Sequence, residues 1–169
     1  WIVSSDAVEG CWQRGVPIGL GQRGDPPVDG DGSGACYLTK NHAGNSDVDS
    51  GTTRLTSPII DSGPGDLEIR YTLWYTNCRE GAPNKDLFVT HVSIDGGVNW
   101  VPAETVGPAS ATGWVERRFR LGQVVTPTGQ VRVQFRASDL HEGSIVEAGV
   151  DGFAVWSFSC DADCPGGAN

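Results

Sequence analysis

Methionine is absent from this chain, histidine occurs three times, and charged residues make up only 20% of its 169 positions. Zero methionine is compatible with export and decides nothing alone. No apolar run approaches the roughly 20 residues that carry a helix across a bilayer, so a membrane span of that kind is excluded. No C-x-x-C pair occurs among Cys11, Cys36, Cys78, Cys160 and Cys164, which removes the ordinary zinc pattern. Basic residues are scarce, 12 against 21 acids, and the net charge of -9 argues against nucleic acid as a partner, because phosphate binding needs a clustered basic surface. No window shows a convincing 3.6-residue apolar period, so helices are not expected.

What the chain does hold is turn chemistry: 24 glycines and 10 prolines. Its length suits one domain. The expectation is a single module over residues 1–160, with 161–169 as a Gly-rich tail or linker start. The opening at Trp1, with neither initiator methionine nor signal pattern, reads as a processed chain or excised module. Five cysteines point to disulfides in an exported protein, with one thiol left over and the connectivity open.

Period-2 alternation predicts strands. Leu67, Ile69, Tyr71, Leu73 and Tyr75 alternate with polar residues and Trp74, and Val131, Val133, Phe135 and Ala137 repeat the pattern. Val115 to Leu121 is noisier, because Arg117 falls on the face of Phe119. Shorter strands are expected at 36–41, 53–60, 87–94, 99–106 and 149–158. Eight or so short strands between Gly, Pro, Asp and Asn turns predict an all-β antiparallel sandwich, a jelly roll. The first 35 residues read as a long ordered loop, which in a compact domain calls for something to tie it down.

Ser93 to Trp100 matches the pattern S-x-D-x-G-x-x-W, in which Asp95 can bond the turn backbone and Trp100 can pack back over a hairpin. Such Asp boxes, similar to those of bacterial sialidases, imply a structural turn. Oxygen ligands at alternate positions in Asp29-Gly-Asp31 and Asn45-Ser-Asp47-Val-Asp49 could wrap a hard cation, with Asp25 as a further ligand. Asp151, in the apolar run Ala148 to Phe153, would be costly unpaired. These residues form a candidate structural calcium site; the EF-hand spacing is not met, and good turn residues alone would give the same pattern.

Charge is distributed unevenly: nine acids and four bases precede position 67, whereas positions 113–136 hold five arginines and one glutamate. Should three strands share a sheet, its outer face would carry Arg70 and Trp74, then Trp114, Arg118 and Arg120, then Arg132 and Arg136. Flat rings beside guanidinium forks suit sugars, by stacking and by bonds to hydroxyl, carboxylate or sulfate groups. A solvated face with Glu116 paired across strands reads equally well. Trp12 and Trp156 read as packing residues. Catalysis finds little support, since His42, His91 and His141 lack a recognisable nucleophile partner, and a carboxylate pair among Glu104, Glu116, Glu142 and Glu147 cannot be spaced from sequence.

The runs Gly30 to Asn41, Gly44 to Pro58 and Leu73 to Asn77, with the Asp box and Val146 to Phe153, resemble jelly-roll modules of large secreted bacterial proteins, planctomycete-type ones among them. These modules are similar to MAM domains and carbohydrate-binding modules and are attached to extracellular peptidases, glycoside hydrolases and surface proteins. The resemblance implies a secreted, non-catalytic module that binds polysaccharide, anionic glycans included, or else a protein-interaction or spacer domain. It also implies a buried calcium between an early loop and a late-strand acid, matching Asp29, Asp31, Asp47, Asp49 and Asp151. Oligomeric state does not follow from it.

Overall fold

A computed structural model describes residues 1–63, 65–77, 85–111, 113–141 and 144–158. The strands are β1 (Ile2–Ser5), β2 (Trp12–Gly15), β3 (Cys36–Thr39), β4 (Gly51–Thr56), β5 (Asp66–Thr76), β6 (Phe88–Ser93), β7 (Val101–Val106), β8 (Val115–Arg120), β9 (Arg132–Asp139) and β10 (Glu147–Phe158). They form two five-stranded sheets, ordered β1-β4-β9-β6-β7 and β2-β3-β10-β5-β8. Every pairing between these strands is antiparallel, and the architecture is the expected β-sandwich.

Alternation builds the core. The inward residues of β5, from Leu67 to Tyr75, meet Phe88 and Val92 of β6 and Val133, Phe135 and Ala137 of β9. Phe135 lies at the centre, its ring 4.8 Å from Tyr71 and 6.1 Å from Phe88. Trp12 joins this core, as expected of a packing residue.

Arg117 disturbs the β8 pattern because its partner is also inside. From β8 it reaches Glu104 of β7, and the same carboxylate accepts the hydroxyl of Tyr71, which also bonds Thr90 at 2.7 Å. One side-chain network therefore joins the two sheets at their β7 and β8 edges. Burial, and then the Glu104 charge, hold the Tyr71 phenol above its usual range.

The first 35 residues are more ordered than a loop. They contribute β1 and β2, one edge strand to each sheet. Neither strand has alternating apolar residues, because edge positions need bury little. The segment between β2 and β3 is the true loop, and it folds over the outer face of the second sheet. Gly30 lets it settle there: a Cβ at that position would lie 2.9 Å from the Trp114 ring. A β-bulge in β10 between Asp151 and Ala154, with Gly152 at φ +55°, keeps Asp151 and Trp156 on that same outer face.

Cys11 and Cys36 are free thiols, so the expected disulfides are not found among the described residues. Cys11 lies beside Lys40, whereas Cys36 pairs with Gly15, four positions along the ladder. At about 3.3 Å per residue they stand about 13 Å apart, beyond the reach of a disulfide. Burial, then the charges of Asp151, Asp29 and Asp31, push the Cys36 thiol up to about 12. The remaining cysteines, Cys78, Cys160 and Cys164, lie outside the described residues, as do Glu142 and the tail 161–169. No helix among the described residues is long and apolar enough to cross a membrane.

Candidate metal and ligand sites

Asp29, Asp31 and Asp151 converge, with one carboxylate oxygen from each lying within 4.8 Å of the others. Asp151 Oδ2 accepts the amides of Gly30 (2.8 Å) and Asp31 (3.1 Å), which pins the loop to β10. Asp31 accepts the Ser33 amide and Asp29 the Gly34 amide, each at 2.8 Å. Burial, with Asp31 adding, pushes the Asp151 carboxyl up, while Ser33 lowers Asp31. None of the three forms an ion pair among the described residues, so the three acids crowd together with only neutral donors, backbone amides and the Ser33 hydroxyl, to offset them. An all-oxygen, uncompensated acidic set fits a hard metal ion.

Asn45, Asp47 and Asp49 do not join this cluster. Arg23 bonds Asp47 at 2.8 Å and Asn45 at 3.0 Å, so a guanidinium takes the place where the spacing had suggested a metal. Asn45 Nδ2 in turn donates to Glu9, which is paired with Lys40. Alternate acids give the same sequence signal in both loops; only the partner distant in sequence separates them. Asp25 also stands apart, capping the amides of Gly21 and Arg23.

The seven residues of the expected Arg and Trp face also separate. Arg132 and Arg136 lie on β9, in the other sheet from β5 and β8, so they point from the opposite side of the sandwich. There Arg132 bonds the Ser57 carbonyl at 2.8 Å, and Arg136 bonds Gln134 and stands 6.0 Å over the Trp100 ring. Trp100 belongs to the Ser93–Trp100 turn, closed by Asp95, which accepts the amides of Val98 and Asn99. Trp74 and Trp114 do share a face, but the loop roofs them. Their indole N–H groups donate to the carbonyls of Gly24 (2.6 Å) and Val28 (2.9 Å), and their rings meet edge-on at 5.9 Å. They hold the loop down and are not open platforms.

Beyond the roof the same face is open. One cross-strand row is Arg118, Arg70 and Ala154; the next is Arg120, Glu68 and Trp156. Trp156, expected to pack inside, is 55% exposed, and Phe158 beyond it is 39% exposed. The Arg70 guanidinium stands 5.2 Å over the Trp156 ring and that of Arg120 4.6 Å over Phe158. The β10 bulge explains the difference, because one extra residue resets which alternate positions face outward. Sequence patterning across Gly152 could not register that slip.

Of the three histidines, His141 bonds Asp86 at 2.9 Å, and no serine hydroxyl among the described residues bonds a histidine ring. Glu104 is held by Arg117 and Glu147 is buried, so neither is placed as half of an open carboxylate pair.

No protein-family model and no curated protein matches the chain. Solved structures do match its fold. TmCBM61 in complex with β-1,4-galactotriose is 13% identical over 94% of this chain and 88% of its own, with a TM-score of 0.55. The CBM22-1–GH10 modules of a Clostridium thermocellum endo-1,4-β-D-xylanase complexed with xylohexaose give 10% identity and a TM-score of 0.54, over 93% of this chain and 26% of that one. A cleaved adhesin domain of Lys-gingipain from Porphyromonas gingivalis gives 16% identity and a TM-score of 0.51, over 94% of this chain and all (100%) of that one. At such identities the likeness is one of fold, and the fold of this chain is the β-sandwich found in carbohydrate-binding modules.

Proposed function

We propose that this chain is a non-catalytic, calcium-stabilised carbohydrate-binding module of a secreted multidomain protein. The observation that carries the reading is the open strip of Arg70, Arg118, Arg120, Trp156 and Phe158 on a rigid sheet. The guanidinium forks of Arg118 and Arg120, beside two exposed rings and an Arg70 held in place by Glu68, match the carboxylates or sulfates and the apolar ring faces of an anionic polysaccharide. The fold shared with modules crystallised with galactotriose and xylohexaose supports the ligand class. Arg118, which makes no hydrogen bond or ion pair among the described residues, is the fork readiest for a ligand, and Trp74 and Trp114 are scaffold beneath the loop.

Calcium fits Asp29, Asp31 and Asp151. It would neutralise their mutual repulsion and fix the loop that roofs Trp74 and Trp114, a structural task that leaves the strip free for the ligand. The test is affinity electrophoresis against a panel of soluble polysaccharides, acidic ones first. Retardation by acidic members, relieved in Arg118→Ala and Trp156→Ala, is expected. Unretarded migration across the whole panel would overturn the reading in favour of a spacer or protein-interaction domain.

A further inference from the structure

At one end of the sandwich, away from the arginine strip, an open cavity of about 630 Å³ lies between the segment that leads into β4 and the residues Asp139, Leu140, His141 and Ser144 at and beyond the end of β9. Its walls include Arg23, Asp47, Asp49, Asp139, Leu140 and His141. Volumes of roughly 300 to 1,000 Å³ are those of small-molecule sites. The cavity is built around a buried anchor. Asp86, 2% exposed, accepts the Leu140 amide (2.8 Å), His141 Nδ1 (2.9 Å) and the Ser144 hydroxyl (2.7 Å). These bonds fix Leu140, His141 and Ser144, and His141 Nε2 has no hydrogen-bond partner among the described residues. Asp139 is set by the Ser50 amide (3.1 Å) and by Ser144 (3.0 Å), and it retains acceptor capacity, as does Asp49.

We infer that this cavity is a second, end-on sugar site that takes the terminal unit of a neutral glycan, through acceptors on Asp49 and Asp139 and the ring of His141. The inference rests on the carbohydrate reading above and adds a place and a charge preference to it. A single metal ion does not suit the walls: among the described residues only Asp29, Asp31 and Asp151 draw their oxygens together, so the acids here ring a space that one ion cannot bridge. A ligand that fills such a space must span several ångströms and bring its own donors, as a ring of hydroxyls does. Anions are disfavoured. Arg23 is committed to Asp47 and Asn45, and burial with Asp86 and Asp49 nearby already pushes the Asp139 carboxyl up. Exposed Leu140 offers an apolar edge for a sugar face.

The experiment is a heteronuclear NMR titration of the full chain with β-1,4-galactotriose and xylotriose as neutral probes and trigalacturonate as the anionic one. The neutral trioses are expected to shift the His141 imidazole signals and the amides of Asp49, Ser50 and Asp139 in the parent, and equally in Arg118→Ala. Asp49→Asn or His141→Ala should weaken that binding about tenfold, some 1.4 kcal/mol. Trigalacturonate should leave those signals in place and move the β5 and β8 amides. Neutral trioses that shift only the strip, or nothing, while acidic polysaccharides still bind there, would overturn the end site alone. If no saccharide of either charge shifts any signal, the wider carbohydrate reading fails with it.

Discussion

Replacing Glu147 with glutamine should stabilise the protein increasingly as pH rises. Glu147 is among the largest fully buried side chains, and its carboxyl accepts the Ser46 hydroxyl while facing Thr39 Oγ1. Burial first, and then the charges of Asp25 and Asp47, raise it from 4.5 to about 8, with Arg23 pulling the other way. The folded protein therefore holds a proton that the unfolded chain releases near pH 4.5. Stability from this group is complete below pH 4.5 and is lost as pH climbs to about 8. At 1.36 kcal/mol per pH unit, the loss is about 5 kcal/mol across the window and about 4 by pH 7.5. Glutamine mimics the protonated acid, accepting from Ser46 and donating to Thr39. Urea unfolding of parent and Glu147→Gln at fixed calcium should give nearly equal stabilities at pH 4.5, then diverge in favour of the variant by several kcal/mol at pH 7.5. That gap corresponds to about 10 °C in Tm. A difference that stays constant with pH, or that favours the parent as pH rises, would refute the reasoning.

Chelation should lower Tm and added calcium restore it, by about 2.7 kcal/mol at a hundredfold excess over the Kd, and Asp151→Asn should abolish the response; differential scanning calorimetry decides it. Glu104→Gln should cost about 1 to 3 kcal/mol in urea midpoint stability by leaving Arg117 without its carboxylate, and Arg117→Met in the same chain should recover part of the loss. Trp74→Phe should speed amide exchange across residues 21–30, at a cost of about 1 kcal/mol, while leaving any polysaccharide retention intact, since that ring is roofed by the loop and lies off the proposed strip.

The fold was legible where one face of a strand meets a core. Tyr71 and Phe135 announce themselves by alternation, and the strands they occupy fall where the pattern places them. β1 and β2 were not legible, because an edge strand needs no apolar alternation to hold its ladder bonds. The acidic loops were half legible: a late acid in an apolar run points to the cluster of Asp29, Asp31 and Asp151, but nothing local reveals that Asp47 faces Arg23. The condition that three strands share one sheet was not met, for a topological reason. β9 shows the same alternation of arginine with apolar residues as β8, yet sheet membership is set by long-range pairing, which sent Arg132 and Arg136 to the far side. Trp156 was misjudged because the bulge before it shifts the phase of β10 by one residue.

Isothermal titration calorimetry of an acidic polysaccharide against the parent, Arg118→Ala and Trp156→Ala, each at low and high salt, tests the carbohydrate reading most directly. The account predicts binding by the parent that weakens with salt and weakens about tenfold or more in either variant, while both variants keep the parent's Tm within a few degrees. Heats that are the same for all three proteins, or absent at every salt concentration, would contradict it.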